Sequence, residues 1–173
     1  MTDRERTLRT GSRMGLRADS ILGTALLSEL VHPGPVFWLV SSWITDVDVL
    51  DNGHGAFDAL LGDDPPTTCR LSQILGLISS AGADVHVVTR PTPHNQTFID
   101  RLRATVRSQR LRLTLDPKVH EKTLCGRDWM LSGSMNFTIS GLGDNEESVT
   151  YRVGDPAVAQ ARLDFAARWK DQV

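Results

Sequence analysis

A chain of 173 residues, 40% hydrophobic and 23% charged, is long enough for one well-buried domain and short for two. A formal charge of −2 excludes a protein that coats nucleic acid by bulk positive charge, although it leaves room for a local basic groove. The two cysteines, Cys69 and Cys125, form neither a C-x-x-C zinc pattern nor a disulfide framework, and they predict reduced thiols in a cytoplasmic protein.

No apolar run approaches a membrane span, because the longest, from Val36, is broken at Ser41 and Ser42. Residues 1–17 are charged with no apolar core behind them, so they read as a flexible arm and not as a secretory signal. Residues 18–173 read as a single domain. From Arg17 to Val31, Ile21, Leu22, Ala25, Leu26 and Leu30 fall at helical spacing, and Pro33-Gly34-Pro35 stops the helix. VFWLVSSWI is predicted as a buried strand by its β-branched and aromatic content. The Asp-, Gly- and Pro-rich stretch 46–68 predicts loop, with one short helix around Phe57–Leu61.

A second helix is predicted over Cys69–Ala81, ended by Gly82, and a strand over Asp84–Thr89. A third helix spans Gln96–Arg107, and Leu111–Leu115 is a short alternating strand. Lys118–Cys125 and Trp129–Gly133 read as two strands joined by a tight turn at Gly126-Arg127-Asp128. A strand over Ser148–Val153 leads to Asp155-Pro156, an N-cap with proline at the first helical position, and to a closing helix with Val158, Ala161, Leu163, Phe165 and Trp169. This order predicts an α/β fold, a mixed sheet with helices on both faces.

The segment VHEKTLCGRDWMLSGSMNFT carries the chemistry. His120 and Lys122, two apart on a strand, would share a face, and a following Gly-Ser-x-Asn turn adds a hydroxyl and an amide. If the strands pair as a hairpin, His120, Lys122, Ser134 and Asn136 converge. One imidazole, one fixed cation and two neutral donors suit a phosphate diester.

These residues resemble the phospholipase D superfamily, whose signature is H-x-K-x4-D followed by G-S-x-N. Asn145-Glu146-Glu147 resembles its N-x-E element, which implies that Glu147 orients His120 and fixes its tautomer. The resemblance runs from about Val36 to Trp169 and implies one half of that fold. One departure stands out. Arg127 occupies the place of the signature's Asp, which comes one residue later at Asp128, and Lys122 to Gly133 is one residue shorter than usual. We read this as a shortened hairpin turn, with Asp128 a bracing residue.

The superfamily reaction uses two histidines, and this chain carries one signature. His32, His54, His86 and His94 lack a lysine two residues on. The resemblance therefore implies a homodimer with the active site at its two-fold axis, a phosphohistidine intermediate, and no metal or cofactor. His86 reads as a core or sheet-edge residue, His54 as loop or as a glycine-flanked histidine that could reach a neighbouring site, and His94 as a loop residue near the sheet's end that could contact substrate; Cys125, opposite Lys122 in strand parity, reads as core.

Arg103, Arg107 and Arg110 share a helical face, and Lys118 precedes the active histidine; these four are the expected substrate contacts beside Ser134. With no amphipathic membrane helix in view, nucleic acid is favoured over membrane lipid. The segment also resembles a bacterial subgroup of 7-deazapurine DNA modification and restriction clusters, which implies a DNA endonuclease acting in a larger restriction complex. Two other readings are a phospholipid hydrolase or transferase, and a non-catalytic DNA-binding or scaffold subunit.

Overall fold

The computed structural model describes residues 5–10, 18–138 and 147–169. In chain order the elements are β1 (Glu5–Thr10), α1 (Ala18–Val31), β2 (Val36–Ser41), β3 (Asp48–Asp51), α2 (Asp58–Leu61), β4 (Thr68–Arg70), α3 (Leu71–Ser80), β5 (Asp84–Thr89), α4 (Pro93–Thr105), β6 (Leu111–Leu115), β7 (Lys122–Cys125), β8 (Trp129–Gly133), β9 (Glu147–Val153) and α5 (Pro156–Trp169). Seven strands form one sheet in the order β1-β9-β8-β7-β2-β5-β6, and β3 and β4 form a separate ribbon. β2, β5 and β6 are parallel, whereas every pairing from β2 through β7, β8 and β9 to β1 is antiparallel.

Period-two alternation sorts the strand side chains into two cores. Phe37, Leu39, Val85, Val87, Leu124 and Leu131 face α1, α3 and α4, meeting Leu22, Leu26, Ile74, Ile78, Phe98 and Leu102. Trp38, Val40, Val88, Cys125 and Met130 face α5, meeting Val158, Phe165 and Trp169. The expected mixed sheet with helices on both faces is therefore what forms. β5, β6 and β8 match their predicted spans. The Asp155 cap is also present, with its carboxylate accepting the Ala157 N–H at 2.7 Å.

Four details differ from the sequence reading. Glu5–Thr10, within the expected arm, form an edge strand on β9, held by Arg152–Glu5 at 2.7 Å and a Thr7–Thr150 hydroxyl pair at 3.0 Å. Such cross-strand pairs, and the cover β1 lends to β9, supply a reason that local composition hides. The predicted loop 46–68 contains the β3–β4 ribbon, so Cys69 lies in a strand and not a helix. α4 runs from Pro93 to Thr105 and not over Gln96–Arg107, so Arg107 and Arg110 lie beyond it and share no helical face with Arg103. β7 begins at Lys122, so His120 lies outside the strand.

Buried Glu29 locks the β7–β8 turn. Its carboxylate accepts the backbone N–H of Gly34 at 2.7 Å and of Arg127 at 2.9 Å, and the Trp129 indole N–H at 2.8 Å. A Cβ on Gly126 would lie 2.2 Å from that carboxylate, so only glycine fits the turn.

Candidate active site

Register brings the motif residues to one end of the sheet. Ser41 at the end of β2 pairs with Lys122 at the start of β7, Thr123 pairs with Ser132 near the end of β8, and Gly133 pairs with Val149 near the start of β9. The same end holds the C-terminal ends of β2, β5 and β6, where open α/β sheets place their ligands.

His120 is exposed on a loop pinned on both sides. The Asp116 N–H donates to the Thr89 carbonyl at 2.9 Å, and the Asp116 carboxylate accepts the Lys118 N–H at 2.8 Å. That bond, with help from the Trp169 indole and the Arg168 and Lys118 charges, holds the Asp116 carboxyl below its ordinary value despite some desolvation. The buried Val119 carbonyl accepts both the Ser42 hydroxyl at 2.7 Å and the Arg90 Nε at 2.8 Å. Lys122 folds back to donate to the His120 carbonyl at 2.9 Å, which spends one of its three protons. The histidine and lysine are thus neighbours through a loop and not through strand parity.

The Gly-Ser-x-Asn turn is built by close approach. A Cβ on Gly133 would stand 2.1 Å from the Ser148 carbonyl oxygen, so this glycine lets β8 and β9 touch. The Ser134 N–H donates to the Ser148 carbonyl at 3.1 Å, and the Ser148 N–H donates to Ser134 Oγ at 3.1 Å. The Ser134 hydroxyl itself donates to Glu147 Oε2. The proton expected to reach a substrate oxygen is therefore committed to Glu147, and the Glu147 contact given by the structure is to Ser134, with His120 not among its hydrogen-bond partners. Met135 and Phe137 are buried on either side of Asn136. Among the described residues the buried Asn136 Oδ1 has no hydrogen-bond partner, a cost of roughly 1–3 kcal/mol unless a donor reaches it.

His120, Lys122, Ser134, Asn136 and Glu147 thus gather at one end of the sheet, with Lys118 exposed on the same loop. Asn145 and Glu146 lie outside the described residues. Asp128 sits at the far end of the hairpin, where its carbonyl accepts the Gly154 N–H at 2.6 Å. Arg103, Arg107 and Arg110 are not brought to the site. Arg110 bonds the Gly82 carbonyl at 2.6 Å and Asp84 at 3.0 Å, at the start of β5. The site lies beyond its other end, roughly 17 Å away at about 3.3 Å per residue. Arg103 and Arg107 belong to the same end, because α4 runs back toward the start of β6.

Two residues at the site end escaped the motif search. Arg90 follows β5, and only its Nε has a hydrogen-bond partner among the described residues, at Val119. Trp43 follows β2 and is exposed, with His94, now in the first turn of α4, edge-on at 5.4 Å. A β5 end followed by an arginine was the available signal for Arg90. Cys125 is buried beneath α5, and burial pushes its thiol up to about 12; Cys69 is raised to about 11 by burial, then by Asp46 and Asp48.

No family model and no curated relative matches the chain. Solved structures do. Nuc from Salmonella typhimurium, a phospholipase D family member, aligns with TM-score 0.62 at 15% identity over 97% of this chain and 95% of its own. NucT from Helicobacter pylori aligns with TM-score 0.63 at 12% identity over 94% of each chain. An archaeal chromatin protein with a novel mode of DNA binding, TrmBL2, aligns with TM-score 0.57 at 11% identity over 97% of this chain and 52% of its own. The chain has the fold of the phospholipase D family.

Proposed function

We propose that this chain is a phosphodiesterase of the phospholipase D type that cleaves nucleic acid, DNA foremost, as a homodimer through a phosphohistidine on His120. The observation that carries the reading is the meeting of the H-x-K loop, the G-S-x-N turn and Glu147 at one sheet end on this fold.

In the proposed mechanism a neutral His120 ring nitrogen attacks phosphorus, and the bond from phosphorus to the leaving oxygen breaks. His120 of the second subunit, protonated, gives that oxygen its proton. It then removes a proton from water, which attacks the phosphohistidine and releases the first imidazole. Lys122 and Asn136 meet the non-bridging oxygens as charge builds. Ser134 holds Glu147 in place, and the remaining carboxylate oxygen is available to a ring N–H of His120. Arg90 replaces the distant Arg103, Arg107 and Arg110 as the arginine that meets the phosphate chain, alongside Lys118.

A role in restriction of DNA lacking 7-deazapurine modification, within a larger complex, is the finer form of this proposal. The likeness to a DNA-binding chromatin protein favours one second reading, a non-catalytic DNA-binding subunit. The test is cleavage of modified and unmodified DNA in excess EDTA by the wild type and His120→Ala. We expect wild-type turnover and a loss of at least about 10³-fold in the variant. Tight binding with no turnover by either protein supports the second reading instead, and full activity in an isolated monomer would refute the shared site.

A further inference from the structure

We propose that Trp43 is a stacking platform for an unpaired nucleobase next to the phosphate being cut, which makes single-stranded nucleic acid the favoured substrate. The inference rests on the phosphodiesterase reading for the place of that phosphate. Trp38, Trp129 and Trp169 are at most 3% exposed, whereas Trp43 is 38% exposed. A single exposed apolar residue means little, so position must carry the case.

Trp43 lies between the two limbs of the site. On one side, its neighbour Ser42 donates to the carbonyl of Val119, the residue before His120, at 2.7 Å. On the other, Ile44 bridges Phe137, the residue after Asn136, and the Thr45 N–H donates to the Phe137 carbonyl at 2.7 Å. The backbone around the indole is also fixed. The Ser41 hydroxyl donates to the Trp43 carbonyl at 3.0 Å, and the Ile44 N–H donates to Asn95 Oδ1 at 2.9 Å.

His94 completes the platform. Its ring meets the indole at 84°, and Nε2 shares a hydrogen bond with Thr45 Oγ1 at 3.2 Å, so the imidazole braces the indole with no parallel ring laid over it. A rigidly held aromatic beside a cationic phosphate site is the arrangement that binds single strands, because every base offers a π-face. A base inside a duplex is already stacked on its neighbours and gains nothing from the indole.

The experiment measures binding of a fluorescein-labelled oligothymidylate by anisotropy in the His120→Ala background, where bound strand persists. Trp43→Ala is expected to weaken binding about 5–150-fold, the factor that stacking of one base supplies. Trp43→Phe should stay within about threefold, and affinity for the same sequence as a duplex should be insensitive to both changes. Single-strand affinity unaltered in a folded Trp43→Ala protein would overturn the proposal. So would no binding of the strand by the parent, or dissociation of the dimer by Trp43→Ala, which would make the indole a subunit contact. The cleavage assay on His120→Ala judges the catalytic reading separately, since strand binding is scored here without turnover.

Discussion

Gly133→Ala tests whether the close contact between β8 and β9 holds the site together. The new Cβ would stand 2.1 Å from the Ser148 carbonyl oxygen and 3.2 Å from the Val149 Cα, so the strands must part by about 1 Å to reach ordinary contact. Overpacking of this kind costs about 1–3 kcal/mol. The displaced Ser148 carbonyl also accepts the Ser134 N–H, and Ser134 in turn holds Ser148 and Glu147. Weakening these exposed bonds adds about 1 kcal/mol, for a total of about 2–4 kcal/mol. In a domain of this size that lowers Tm by about 4–16 °C. Activity should fall more than stability implies, because a displacement of about 1 Å in a catalytic group costs on the order of 10²-fold. Melting by circular dichroism and turnover in EDTA, at a temperature where both proteins are folded, separate the two effects. A Gly133→Ala protein with wild-type Tm and turnover would refute the reasoning.

Other outcomes follow from buried groups and from charge. Glu29→Gln replaces a three-fold acceptor with an amide that must turn one N–H₂ toward donors, and should cost about 2–4 kcal/mol in urea unfolding. With values near 11 and 12, Cys69 and Cys125 stay protonated at pH 8, so Ellman's reagent should label neither thiol until the protein is unfolded and both thereafter. The depressed Asp116 carboxyl stabilises the fold above the ordinary aspartate value and loses that contribution as pH falls through its lower folded value. The Tm gap between wild type and Asp116→Asn should therefore be widest near neutrality and shrink in acid. Arg90→Gln should lower the salt dependence of DNA binding by about one phosphate contact, whereas Arg107→Gln should leave it unchanged.

Most of the fold was legible because local pattern and tertiary role agree along the central strands. DVHVVT and LRLTL alternate or cluster as buried strands do, and both form as expected. The motif residues were legible as a set, because a tight Gly126 turn forces β7 and β8 to pair. What was not legible depends on distant partners. ERTLRT looks like a solvated arm until β9 supplies its other half. DVLD pairs with TCR across a loop whose composition signals only turns. Of the three arginines expected on one helical face, only Arg103 lies in α4, which ends at Thr105; Arg107 and Arg110 fall beyond it, and the end of the sheet they reach is set by the β5–α4–β6 crossover. Sequence spacing places them near His120, and the crossover carries them away. Trp43 carries no motif at all; its standing comes from Ser42 and Ile44, each bonded to a different limb of the site.

The pairing of β1 with β9 also bears on synthesis. Glu5 and Arg152, joined across that edge, are 147 residues apart in sequence. At about 5–20 residues per second, the first strand emerges from the ribosome roughly 7–30 s before its partner. During that interval β2, β5 and β6 can gather under α1, α3 and α4, while β8 and β9 have yet to be made. His120 therefore leaves the ribosome before Ser134 and Glu147, and a nascent chain carries the proposed nucleophile without the residues proposed to direct it. Under the proposed function, chain order then delays completion of the site until β9 has been made.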